Sequence, residues 1–341
     1  VNFEVQSQRF ADVANTAVSN PEQRNATRAA WEQTIDAWQE LEVMQIGPAG
    51  RRTQPGGQGL RDTIYSWPLM NRCAVDSHLV SKAFAQEDNR IKINANGLWA
   101  AEYLLFYQGT ENACDLEHMI NEDGSWTALD ADELKTRRAQ YAAFAADAVA
   151  QGAKALVNAW LPAGEDFLGE LTQAGDGSRT FGRKRVALNA VSDALFYVEW
   201  ATKDNKLARP LGLIGCDQNL CPDMVESVYA RRSISHLRNN LVGFRKLFNG
   251  CGTEYDGLGF DDFLFALGQV ELASEIDNAA LATIEALDNI EQTDLMSGLR
   301  EDPQSVMAIH TALRSLTDVL RTDFLTVLRL ELPQMVQGDN D

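Results

Sequence analysis

Seven apolar side chains, Val306, Ile309, Leu313, Leu316, Leu320, Phe324 and Val327, recur at steps of three and four near the end of the chain. At about 100° per residue they fall on one narrow stripe, the mark of a helix packed in a bundle. Asp302-Pro303 opens this helix, with proline where its missing N–H costs nothing, and Leu332-Pro333 closes it. The same period runs through Trp31, Ile35, Trp38 and Leu41 after Pro21, and through Leu134, Tyr141, Phe144, Ala148 and Leu156 between Asp130 and Leu161. It returns in Val225, Val228, Leu237, Leu241, Phe244 and Phe248, and again from Phe263 to Leu287. Strand-type alternation of useful length is absent, so the chain reads as all-α.

The best break in the pattern lies around 162–180, where Pro162, Gly164, Gly175, Asp176 and Gly177 cluster. It leaves two helical bundles of up-down, four-helix type, 1–162 and 180–337, expected to pack against each other. Irregular stretches occupy 46–60, 108–129 and 204–222, the first long enough to form a functional surface. From Gly182 to Ala201 apolar residues occur on nearly every side, which predicts a helix buried all round. Asn189 and Asp193 sit among them, one turn apart on one face, and need partners.

Thirty basic against 49 acidic residues leave a formal charge of -19, which disfavours nucleic acid and polybasic docking to anionic membranes. Charges such as Glu102, Asp147 and Lys154 interrupt every apolar run, so no transmembrane segment is expected. The opening Val1-Asn2-Phe3 lacks an initiator Met, as after removal of a targeting segment or trimming of the chain. None of Cys73, Cys114, Cys216, Cys221 and Cys251 forms a C-x-x-C pair. Cys216 and Cys221 flank a stretch that either closes as a small disulfide loop or carries two reduced thiols. There is no H-E-x-x-H, P-loop, dinucleotide fingerprint or G-x-S-x-G elbow. Of His78, His118, His236 and His310, only Asp115-x-x-His118 approaches the spacing of a di-iron ligand pair, and it lies in a loop. Lone histidines of this kind read as surface or capping residues, and His310 as a structural one.

One local feature departs from the bundle pattern. The run from Asn94 to Phe106 reads as a helix capped by Asn96 or Asn94. On a helical wheel Leu98, Ala101 and Leu105 fall to one side of Glu102, and Trp99 and Phe106 to the other. Glu102 thus stands in the middle of an apolar arc, where a carboxylate requires a cation, hydrogen-bond donors or a metal. A structural ion pair bracing two helices would satisfy it as well as a binding site would.

Gly97-Leu98-Trp99-Ala100-Ala101-Glu102-Tyr103-Leu104-Leu105-Phe106 resembles the G-x-H-x-x-E segment of the imelysin-like proteins. Trp31, Trp38, Gly47-Pro48 and Trp67-Pro68 followed by Arg72 are similar to that family's first domain. Lys206-Leu207-Ala208-Arg209-Pro210-Leu211-Gly212 resembles its K-L-x-x-P-L-G segment, and the run from Glu226-Ser227 to Asn240-Leu241-x-Gly243 resembles its E-S…N-L-x-G stretch. The resemblance extends from about Trp31 to Gly250. It implies an exported, periplasmic protein, often lipid-anchored and linked to iron acquisition, with some relatives classed as metallopeptidases. A lipid anchor would then lie upstream of Val1.

Trp99 stands where the motif has histidine, and an indole offers only an N–H donor and no lone pair to a metal. Iron or another divalent metal is the cofactor the resemblance would bring, with Glu102 the surviving motif ligand. The expected function is a non-enzymatic binding or accessory protein with a pocket where the bundles meet. Gly97 and Trp99 would form its wall, Glu102 a buried acceptor, and Arg72, Glu226 and Ser227 the polar partners. Arg72 is the expected grip on Glu102. The alternatives are a metallopeptidase of the imelysin type and a helical scaffold without small ligand.

Overall fold

The computed structural model describes residues 1–86, 91–252 and 254–337. The helices are α1 (Asn2–Ser19), α2 (Arg24–Glu42), α3 (Leu60–Ile64), α4 (Arg72–Ser81), α5 (Gly97–Phe106), α6 (Met119–Glu122) and α7 (Ala131–Trp160). They continue as α8 (Phe167–Thr172), α9 (Lys184–Leu195), α10 (Ser233–Phe248), α11 (Phe260–Ala266), α12 (Val270–Asp288), α13 (Leu295–Glu301), α14 (Pro303–Val319) and α15 (Leu325–Leu328). Wide-turned π-helical segments follow α9 and α14, at Val198–Ala208 and Leu320–Phe324. No strand occurs among the described residues, and the protein is all-α. No described helix is long and apolar enough to cross a membrane.

The chain divides into two compact units, and the division is not a single cut. The first comprises Val1–Ala37, Pro48–Gly50 and Gln58–Phe167; the second comprises Trp38–Gly47, Arg51–Gly57 and Leu168–Asp341. In the first unit α7 is the central helix, packed by α1, α3 and α5. Its alanine-rich face lets neighbours approach closely: Ala142, Ala145, Ala146 and Ala153 are all buried. The Cys73–Cys114 disulfide fastens the loop after α5 to the first turn of α4.

The second unit is built on α10, α12 and α14. Val306, Ile309, Leu313, Leu316, Leu320 and Phe324 are each at most 1% exposed and Val327 is half-buried against the same core, so the stripe read from the sequence does face an interior. Asp302 caps α14 as expected, accepting from the Ser305 N–H. Cys216 and Cys221 are joined in a small disulfide loop, while Cys251 is a free, exposed thiol.

The expectation of a helix buried on every side from 182 to 201 is corrected. Leu195, Phe196 and Val198 are buried, but Val186 is 42% exposed and Asn189 and Asp193 lie on a half-open face. Burial and the nearby Glu331 carboxylate push the Asp193 pKa up to about 6. A raised carboxylate pKa penalises the ionised folded state above that value, and the penalty fades as pH falls towards the unfolded pKa. Asp193→Asn is therefore expected to raise stability by about 1–2 kcal/mol near pH 7.5, after discount for partial exposure, and by almost nothing near pH 4. Thermal melts at the two pH values check this; an unchanged or lower midpoint at pH 7.5 contradicts it.

Candidate functional site

Two buried constellations carry the charged and aromatic groups singled out above, one in each unit. In the first unit the motif helix α5 is buried along its length, from Gly97 to Leu104. Asn96 caps it, its Oδ1 accepting from the Gly97 N–H at 2.8 Å. Gly97 has φ +77°, and a β-carbon there would stand 2.5 Å from the Ile64 carbonyl oxygen. The glycine of the motif is thus required by the approach of α3 to the helix start. The Trp31 indole donates to the Leu98 carbonyl at 2.9 Å, and the Tyr141 hydroxyl donates to the Ala95 carbonyl at 2.6 Å. These bonds fix α5 from both sides.

Trp99 is 2% exposed and Glu102 1% exposed, so the wheel's placement of a carboxylate inside the apolar arc holds. Trp99, Tyr103 and Tyr107 form a ladder of near-parallel rings, with centroids 6.3 and 5.2 Å apart. The Tyr103 hydroxyl donates to Asp76, which also accepts from the Ala113 N–H at 2.8 Å. Asp76 is fully buried, and burial pushes its pKa up to about 6 against those donors and the charges of Arg138 and Arg72. Arg138 stacks over the Tyr107 ring at 5.0 Å and donates to the Gly109 carbonyl at 2.8 Å. Arg72, offered as the grip on Glu102, opens α4 with its side chain exposed, and its charge acts on Asp76.

In the second unit Lys206 is 1% exposed and forms the hub of a second constellation. Its Nζ donates to Gln39 Oε1 at 2.7 Å and to Asn240 Oδ1 at 2.9 Å, and pairs with Glu226 Oε2 at 3.1 Å and Glu42 Oε2 at 3.6 Å. His236 Nδ1 lies 3.2 Å from the same Glu226 oxygen, and the ring is wholly buried. The π-helical segment presents Lys206 here, and wide turns of this kind recur at functional sites. Gly243 lets α10 lie against the end of α2, since a β-carbon there would meet the Glu40 carbonyl oxygen at 2.1 Å. Ser227 follows Glu226 in the left-handed region at φ +56°, buried, with no hydrogen bond to its Oγ among the described residues. A serine held there carries strain of the kind that gathers at functional positions.

Gly97, Trp99, Glu102 and Arg72 thus lie in the first unit, and Glu226 and Ser227 in the second. Sequence reasoning missed Gln39, Glu42, Lys206, His236 and Asn240 as members of one cluster. Lys206 and Asn240 fall in segments quoted for the resemblance, and that was the available signal. His236 is not the surface or cap residue expected of a lone histidine, because α10 turns it inward onto Glu226. His118 does cap α6, accepting weakly from the Ile120 N–H at 3.4 Å.

A metal of the imelysin motif does not fit α5. Trp99 occupies the ligand position with a group that has no lone pair to give, which leaves Glu102 alone on that helix. Among the described residues, Cys73, Cys114 and His118 bring three ligand atoms within 4.8 Å of one another, but the two sulfurs are bonded to each other.

A glycine-opened, buried helix carrying an interior glutamate, in an all-helical chain of two units, defines the class of protein. The sequence profile of the imelysin family matches residues 3–322, and the chain belongs to that family. It is 24% identical over 311 residues to iron-regulated protein A of Synechococcus elongatus, covering 89% of this chain and 75% of that protein. In fold it is similar to an imelysin-like protein from Psychrobacter arcticum, with a TM-score of 0.70 at 14% identity over 97% of this chain and 91% of that one. An iron-regulated protein A precursor from Parabacteroides distasonis gives a TM-score of 0.70 at 17% identity, over 94% and 88% of the two chains.

Proposed function

We propose that this chain is a binding or accessory protein of the cell envelope that serves iron acquisition and does not act as a peptidase. The observation that carries the reading is Trp99, buried in α5 at the position where the family motif has histidine. A catalytic zinc site ordinarily takes three protein ligands and keeps one position open, and an indole cannot be one of the three. The iron connection is supported by the names of the relatives from Synechococcus elongatus and Parabacteroides distasonis, and export by the latter's description as a precursor. The residues assigned to binding are Gly97, Trp99 and Glu102 with Arg72 in the first unit, and Glu226 and Ser227 in the second.

The test is metal analysis of protein purified without chelator, together with a peptide-cleavage assay in the presence of added zinc, iron or manganese. Metal content well below one ion per chain and no cleavage above that of Glu102→Gln are expected. Near-stoichiometric metal with cleavage that Glu102→Gln abolishes would establish the peptidase reading instead. For the physiological part, a deletion strain is expected to grow more slowly than its parent under iron chelation and equally well in iron-replete medium. Equal growth under chelation would remove the iron assignment.

A further inference from the structure

Asn189 and Asp193 are the polar pair that the sequence places one turn apart among apolar neighbours, and the protein itself does not satisfy them. Among the described residues neither side chain is hydrogen-bonded, and the Asn189 Oδ1 is buried without a donor. Both line a cavity of about 500 Å³ within the second unit. The same face of α9 and the π-helical segment adds Tyr197 and Trp200 to the lining. Arg51 of the 46–60 loop and Glu331 near the end of the described chain complete it. That volume lies in the range of small-molecule sites.

We propose that this cavity binds small organic cations, primary amines or guanidinium compounds. Asp193 and Glu331 present carboxylates to the cavity, so the lining calls for a ligand that donates hydrogen bonds and carries positive charge. Gln45 and Gln54 in the same lining serve as donor or acceptor and do not decide its charge. The Trp200 ring offers a π-face, and the exposed Arg51 guanidinium already lies over it, 5.9 Å from the ring centroid. A planar cation thus rests against this wall in the protein itself, and a ligand cation would take its place. The formal charge of -19 raises the local concentration of cations around the molecule. The site rests on the second unit alone and is independent of the reading of α5.

The experiment is isothermal titration of the whole chain with agmatine and with putrescine, and with glutarate as a dianion of similar length. Agmatine is expected to bind and glutarate not to bind. Asp193→Asn and Trp200→Leu should each weaken agmatine by roughly tenfold or more, while Arg51→Ala leaves it unchanged or tightens it. A melting midpoint for Asp193→Asn at or above that of wild type shows that its loss of binding is not unfolding. Glu331→Gln, at an exposed position, gives a second variant that should also weaken binding. The proposal is overturned if neither amine binds, if Asp193→Asn and Glu331→Gln bind agmatine as wild type does, or if glutarate binds in an Arg51-dependent way.

Discussion

Gly97→Ala is expected to lower folding stability by about 2–4 kcal/mol, although it adds a single methyl group. Two causes add. The backbone at Gly97 has φ +77°, where a β-carbon is disfavoured by roughly 1 kcal/mol or more. The new atom would also press on the Ile64 carbonyl oxygen from 2.5 Å, with the Thr63 oxygen at 3.3 Å. Neither neighbour is the free end of a flexible side chain, so relief requires α3 and α5 to part, and the bonds from Trp31 and Tyr141 resist that. Chemical denaturation reads the loss; a midpoint within error of wild type would mean the close approach of the two helices does not exist. Backbone packing alone thus requires glycine at this position, beside the binding role proposed for it.

Lys206→Met is expected to be the most damaging single change at a charged residue, at about 3–5 kcal/mol. The ammonium is held by Gln39, Asn240, Glu226 and Glu42 in a place almost closed to water. Its removal takes from the buried Glu226 and Glu42 carboxylates the cation they share, and Glu226 keeps the Gln39 amide and the His236 ring. Adding Glu226→Gln should restore part of the loss, because one of the uncompensated charges is then gone. Equilibrium denaturation of wild type, the single and the double variant measures the coupling directly. A double variant less stable than Lys206→Met alone would show that the Glu226 carboxylate contributes more through His236 and Gln39 than through the lysine.

The final helix was legible because its period is strong and Asp302-Pro303 marks its start, but the helical run ends at Leu328, where Arg329 turns left-handed, and not at Leu332-Pro333. α1 was not read, and the reason lies in its buried face: Ser7, Ala11, Ala14 and Ala17 stand beside Phe3 and Phe10. Small residues suit close packing on the alanine-rich α7, but they write a faint stripe in the sequence. Glu102 was legible because one charge inside an apolar arc contradicts its own surroundings. Gln39 and Glu42 were not, because polar residues on an amphipathic helix look like its solvent side until a partner is known. Here the partner, Lys206, is 167 positions from Gln39. For the same reason no linear boundary could show that Trp38–Gly47 belongs with the second unit. Asn189 and Asp193 were recognised as needing partners, yet the need pointed to a cavity that the pattern of apolar residues could not reveal.

The division of α2 between the units bears on how the chain must be assembled in time. Gln39, Glu42 and the rest of Trp38–Gly47 leave the ribosome long before Lys206 and Asn240 exist, and Asn240 lies 201 positions beyond Gln39. At about 5–20 residues per second, the segment waits roughly 10–30 s for its buried cation. During that interval the second half of α2, with Trp38 and Val43 destined for the interior, has no core to enter. Closing so long a span adds little to the entropy cost, which grows only with the logarithm of length, but it makes this pairing late. A fragment beginning at residue 168 would accordingly lack part of its own interior, and the two units cannot be separated by one cut in the gene.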